Sequence, residues 1–187
     1  MNVLEIIESI FIILASIVAV LGVITWRFKM VGKKQYELAE NILAKFYEAK
    51  DRLKYIRNPL SFRSKDDEEG HYTDATVERL ENTKSFMLDL LKLKYQCMAN
   101  FGSETGKLFD DFDNILDEIS KSVHFLRTVT NMGIGSGSQV SDSTVDKIHE
   151  SEAKIWRGID GDKISFRLEK IIRDVERICK PVLKKRV

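Results

Sequence analysis

Hydrophobic positions along this chain follow two different patterns. From Ser9 to Trp26 they run almost without interruption, as Ser-Ile-Phe-Ile-Ile-Leu-Ala-Ser-Ile-Val-Ala-Val-Leu-Gly-Val-Ile-Thr-Trp, and no charged side chain enters. As a helix rising ~1.5 Å per residue, that run reaches roughly 27 Å, about the thickness of a bilayer's hydrocarbon core. Beyond Lys33 the apolar residues recur instead at three-and-four spacing, with charged residues filling the other positions. That is the period of helices with one buried stripe. The two patterns predict an all-α chain: one N-terminal transmembrane helix, then an antiparallel helical bundle of four to five helices.

The periodic part divides at its breakers. Ala39, Ile42, Leu43, Phe46, Leu53 and Ile56 mark a helix over 33–57, which ends before Pro59 because proline restricts Asn58 to extended backbone. Only Gly32 stands between the apolar run and this helix, so the two can continue as one rod. A polar stretch from Ser61 to Tyr72 reads as a loop, and Thr73 or Asp74 is expected to cap a second helix that ends at Gly102. Ser103 is expected to cap a third, carrying Phe109, Phe112, Ile115, Leu116, Ile119, Val123 and Leu126. Gly133 to Ser138 reads as a linker, and Ser141 or Asp142 opens a shorter fourth helix. The last begins at Asp162, with Ile164, Leu168, Ile171, Val175, Ile178 and Val182 on a heptad-like stripe. The chain thus divides into residues 1–30, a transmembrane anchor with a basic juxtamembrane segment, and residues 31–187, a helical-bundle domain with flexible loops near 58–73 and 131–141.

Charge gives the anchor a direction. Glu5 and Glu8 precede the span, and Arg27, Lys29, Lys33 and Lys34 follow it, so the N-terminus is expected outside and the C-terminal domain in the cytoplasm. A cleaved secretory signal would need a basic start and a small-x-small site after the apolar run, and this sequence has neither. The residues assigned to the span include Ser9, Ile10, Phe11, Leu14, Ala15, Ala19, Gly22 and Trp26. Of these, Ala15, Ala19 and Gly22 share one helical face, along which two spans could approach closely. Arg27, Lys29, Lys33, Lys34, Lys184, Lys185 and Arg186 are expected to meet the membrane surface.

Composition narrows the function classes. With 187 residues, 32% charged, 43% hydrophobic and a net charge of +1, the chain is neither a globally basic nucleic-acid binder nor an acidic disordered segment. Cys97 and Cys179 lack the spacing of a zinc site or a disulfide framework and read as partly buried reduced thiols, the alternative being a single bridge between them if the domain lies outside the cytoplasm. Gly102-Ser103-Glu104-Thr105-Gly106-Lys107 imitates a phosphate-binding loop but has one residue too few between its glycines, and Leu108 where a Ser or Thr belongs. The glycines at 133, 135 and 137 have no preceding strand to frame a dinucleotide. His71, His124 and His149 are scattered, without a second ligand at metal spacing. Asp110, Asp113 and Asp117 share a helical face that would suit a cation or a basic partner, although a solvated face is the simpler expectation.

Arg57-Asn58 resembles the opening of the motif in HEPN-type ribonucleases, but Phe62 and Arg63 occupy the region where that family places its histidine, so no residue role is transferred. In general build the chain is similar to short single-pass bacterial membrane proteins, which implies no particular activity. The expectation is therefore a non-enzymatic, single-pass protein of the cell membrane. It would act as an interaction or scaffold module on the cytoplasmic side, with membrane lipid around its anchor and a protein partner or a second copy on its helices. No cofactor, metal, nucleic acid or small-molecule substrate is expected. The alternative is a membrane-perturbing effector or toxin component that oligomerises through its transmembrane helix.

Overall fold

In a computed structural model, residues 3–58, 72–132, 141–156 and 162–184 are described, and among them all regular structure is helical. Six α-helices follow in order: α1 (Val3–Ile56), α2 (Tyr72–Glu81), α3 (Lys84–Phe101), α4 (Gly106–Asn131), α5 (Asp142–Ile155) and α6 (Lys163–Lys184), with a single 3₁₀ turn at Ser103–Thr105. The segments expected to be flexible lie largely outside the described residues, as do His71 and the Gly133–Ser138 linker.

The long first helix realises the rod. It is unbroken for 54 residues, roughly 80 Å at the standard rise. Gly32 continues it, because the flanking residues are good helix formers and nothing lies within 4 Å of the position its Cβ would take. Its two halves meet different surroundings. From Phe11 to Val31 the large apolar side chains are exposed, whereas Ala39, Ile42, Phe46, Ala49, Leu53 and Ile56 are buried. The described part of α1, from Phe11 onward, is long and apolar enough to cross a membrane.

The buried half of α1 sits in a core shared with α3, α4 and α6. Phe46 lies at its centre, fully buried and edge-on to Phe109 (4.9 Å between centroids) and Phe112 (6.4 Å). The α6 helix runs antiparallel to α1. Asp162 meets Arg57, Glu169 meets Lys50 and Glu176 meets Tyr47, so successive α6 residues step back toward the exposed half of α1. The buried stripe of α6 contains Ile164, Leu168, Ile171 and Val175 as its spacing requires, and adds Ile172 and Cys179. Ile178 and Val182 are only partly buried. The α5 helix packs on α4, with Ile155 buried.

Two helix boundaries differ from the sequence reading. The second helix breaks at Asn82–Thr83, giving α2 and α3. Thr83 bonds back to the previous turn, its hydroxyl donating to the Arg79 carbonyl at 2.8 Å and its N–H to Leu80 at 3.0 Å. This local competition for carbonyls tightens and redirects the backbone, which apolar periodicity does not register. Thr73 and Asp74 also lie inside α2 and do not cap it from outside. At the next boundary, Ser103 does not cap α4 but begins the 3₁₀ turn. The reversal is carried by Gly102 at φ +104°, a conformation that favours glycine, and by Thr105, whose hydroxyl donates to the Gly102 carbonyl at 2.7 Å.

Candidate functional site

Of the residues assigned to the span, Phe11, Leu14, Ala15, Ala19, Gly22 and Trp26 fall on the exposed half of α1. Phe11 is 68% exposed, Leu14 52% and Trp26 64%, and Ala15, Ala19 and Gly22 are open as well. Of Ser9 and Ile10 only the helical backbone is described. Two span hydroxyls, Ser16 and Thr25, donate to the carbonyls of Ile12 and Leu21 four residues back, each at 2.8 Å. Their polar atoms are thereby satisfied within the helix, as an apolar solvent requires.

Fifteen large hydrophobic side chains from Ile7 to Val31 are exposed. At the ~25 cal/mol per Å² typical of apolar burial, so continuous a surface is costly to leave in water.

Cations gather where the exposed half gives way to the packed half. Arg27, Lys29 and Lys34 are exposed without an ion-pair partner among the described residues, and Lys33 makes a loose 3.7 Å pair with Glu37. The antiparallel register of α6 brings its C-terminal end level with Glu37, within about a turn of Lys33 and Lys34. Exposed Lys184 therefore stands within about a turn of Lys33 and Lys34 in height, although 150 residues separate it from Lys34 in sequence. Lys185 and Arg186 lie outside the described residues.

A second feature is an open groove between α2–α3 and α4. It comprises two adjoining depressions of about 820 and 220 Å³ that share Met87, Leu88 and Asp113. Leu88 (61% exposed) and Leu91 (46%) are apolar residues left uncovered along α3. Asp110, Asp113 and Asp117 do share one exposed face, and it forms the α4 wall of this groove. Lys94 pairs with Asp110 at 2.5 Å and Lys121 with Asp117 at 2.6 Å, while Asp113 has no ion-pair partner among the described residues. The groove is lined by four carboxylates (Glu81, Asp110, Asp113, Asp117) and two lysines (Lys84, Lys94), so its charged lining is net negative by two.

A third surface escaped a reading based on hydrophobic period. Lys163, Phe166, Lys170, Arg173, Arg177, Lys180 and Lys184 recur at alternating three-and-four spacing and are all exposed, on the side of α6 opposite its buried stripe. Arg177 pairs with Asp174 and Lys180 with Glu176, leaving Lys163, Lys170, Arg173 and Lys184 free of ion pairs among the described residues. The signal is present in the sequence, but only a search for periodic charge finds it.

The most buried charged side chain among the described residues is structural. Arg57, 2% exposed, donates to the carbonyls of Ala153 (3.3 Å), Lys154 (2.9 Å) and Trp156 (2.8 Å) at the end of α5. It also donates to both oxygens of Asp162 (2.8 and 3.0 Å) and to the Ser165 hydroxyl (3.1 Å). Asp162 in turn accepts the Ser165 N–H at 3.0 Å and so caps α6. One guanidinium thus serves both the negative end of α5 and the N-cap of α6. Burial opposes ionisation of Asp162, but its bonds from Arg57 and Ser165 outweigh that and hold the carboxyl below the usual range. Arg79 acts similarly on α1, donating to the Asn58 carbonyl at 2.8 Å. The resemblance of Arg57-Asn58 to a ribonuclease motif therefore lies on a side chain consumed by helix-end contacts.

Cys97 and Cys179 are free and buried. Burial pushes both thiols up, Cys179 to about 12 with Cys97 adding to the effect, so neither is a reactive thiolate near neutral pH. His124 is exposed on the groove wall and His149 lies on α5 near Glu152. Among the described residues no three His, Cys, Asp or Glu side chains are grouped to hold a metal. No family model, no characterised protein and no solved structure matches this chain.

Proposed function

We propose that this chain is a single-pass protein of the cell membrane. Its packed helices form an antiparallel bundle that stands on the cytoplasmic face as a non-enzymatic interaction module. The observation that carries this reading is the division of α1 into an exposed apolar half and a buried one, without a break between them. A helix continuous through the boundary transmits position, so the bundle is held upright and close to the lipid.

The cationic collar supports the same reading. Lys184 from α6 comes within about a turn of Lys33 and Lys34 of α1 although they are remote in sequence, and Arg27 and Lys29 follow on α1 toward the apolar half. Each cation near an anionic leaflet contributes about 1 kcal/mol, falling away over a Debye length. The excess of cations on this side of the span also orients it with the bundle inside.

The test is fractionation of cells expressing the full chain, followed by alkaline carbonate extraction of the membranes and protease treatment of sealed, inside-out vesicles. The chain is expected to resist carbonate, and its helical part to be digested from the cytoplasmic side. Release into the carbonate supernatant, or recovery from the soluble fraction without detergent, overturns the proposal. Co-purification from gently solubilised membranes then tests the interaction role, and a reproducibly solitary monomer counts against it.

A further inference from the structure

We propose that the basic stripe of α6 docks into the acidic groove between α3 and α4 of a second copy, so that anchored copies assemble side by side along the membrane. The inference names the partner in the membrane-anchored reading above and rests on it for the relative height of the copies.

Within one chain, Arg167 of α6 pairs with Glu118 of α4 at 2.6 Å, so these residues stand level on two antiparallel helices. Going toward the span, Asp117, Asp113 and Asp110 lie one, five and eight residues below Glu118. On α6, Lys170, Arg173 and Arg177 lie three, six and ten residues below Arg167. The two series therefore agree to within about two residues, roughly 3 Å of rise. Two copies anchored in one bilayer share their height, so the three carboxylates of one stand opposite the three cations of the next. The best-matched pair is Asp113 with Arg173, the groove carboxylate and a stripe cation that both lack ion-pair partners among the described residues.

The apolar parts match as well. Phe166 is 68% exposed in the middle of a charged face, one residue above Arg167 in height. That level on α4 falls between Leu116 and Ser120, which line the wider, 820 Å³ part of the groove together with Leu80 of α2. The groove thus offers apolar volume where the stripe carries its one aromatic ring, and negative charge below that point, where the stripe is positive. Opposite potentials and a buried aromatic anchor are the usual means by which a protein surface selects its partner.

The geometry also sets the kind of assembly. Stripe and groove are different surfaces, so a copy that uses its stripe leaves its groove open. Such a contact is heterologous, and repetition gives a row or a ring, not a two-fold pair. Confinement to the bilayer raises the effective concentration of each surface for the other, which makes contacts of modest intrinsic strength sufficient.

Two variants test the pairing: a stripe variant carrying Phe166→Ser and Arg173→Glu, and a groove variant carrying Asp113→Arg and Asp117→Arg. All four positions are exposed, and unchanged circular dichroism confirms folding. Full-length dye-labelled chains are reconstituted into supported phosphatidylcholine bilayers, and photobleaching steps per spot are counted. The wild type is expected to show spots of more than two copies that disperse in 0.5 M salt, as screening over ~4–5 Å predicts. Each variant alone should be monomeric, with self-association weakened at least tenfold. A one-to-one mixture of the variants retains one intact groove and one intact stripe and should form spots of two or more copies that neither variant forms alone. Solitary wild-type molecules, spots that survive in either variant, or a mixture that stays monomeric overturn the proposal. If the chain fails to float with lipid vesicles, the anchor reading fails instead, and sedimentation of the same three samples in aqueous buffer decides the pairing by the same outcomes.

Discussion

The two halves of α1 are made of similar residues and have opposite fates. Phe11 and Phe46 stand on one continuous helix, the first 68% exposed and the second wholly buried against Phe109 and Phe112. The difference lies in what alternates with the apolar residues. Around Phe46, Glu40, Lys45, Glu48, Lys50 and Asp51 occupy the outward positions, so only one stripe needs cover and neighbouring helices supply it. From Phe11 to Trp26 no position is charged, and no protein surface among the described residues covers any side of the helix. A helix that is apolar all round calls for an apolar solvent, while one that is apolar on one side calls for a partner helix.

That contrast can be broken most severely where α1 meets the other helices. Arg57→Ala should cost about 3–5 kcal/mol of unfolding stability, since it strands Asp162 and the carbonyl end of α5 without their donor. Denaturant unfolding in detergent micelles measures it, and a loss below 1 kcal/mol would show the clasp to be incidental. Phe46→Ala should cost about as much, 3–5 kcal/mol, through the cavity it opens. Phe11→Ala on the same helix should leave unfolding of the packed part within about 0.5 kcal/mol of wild type. Equal effects would mean that the two halves share one solvent.

A charge in the middle of the exposed half gives the next effect. Val18→Lys is expected to weaken membrane insertion by ~2.5–3.5 kcal/mol on the scale for a helix centre, read as the fraction of chain recovered in carbonate-washed membranes, with the packed helices unchanged by circular dichroism.

A gentler perturbation is pH. Asp162 has a carboxyl held below its ordinary value of 3.8 in the fold, so it contributes stability above that value and loses it as pH falls through the lowered one. Stability should therefore decline on acidification below about pH 4, and Asp162→Asn should flatten that part of the profile. An unchanged slope would remove the pair from the account. The smallest effect belongs to the exposed Lys33–Glu37 pair at the boundary, where Glu37→Gln should shift stability by no more than ~0.5 kcal/mol.

Much of this architecture was legible because helical period and helix breakers are local properties. The all-helical character, the rod through Gly32, the Ser141 start of α5 and the buried stripe of α6 follow from spacing within a dozen residues. The division at Thr83 was not legible, because it depends on hydroxyl and backbone bonds that do not alter the apolar pattern. Arg57 was singled out in the sequence only as part of a misleading motif. Its role requires Lys154, Trp156 and Asp162, about a hundred residues away, and nothing in the residues beside it announces them.

The sequence by itself determined which segments are helical and which solvent each helix face needs, because a side chain carries its transfer free energy wherever the chain goes. Only the tertiary structure decided which faces are left over once the core is filled: the cations of α6 set beside those of α1, the groove with Asp113 on its wall, and the stripe around Phe166. Such surfaces are defined by the distance and height between helices. Those come from packing and from long-range pairs such as Glu118–Arg167, and no local period encodes them.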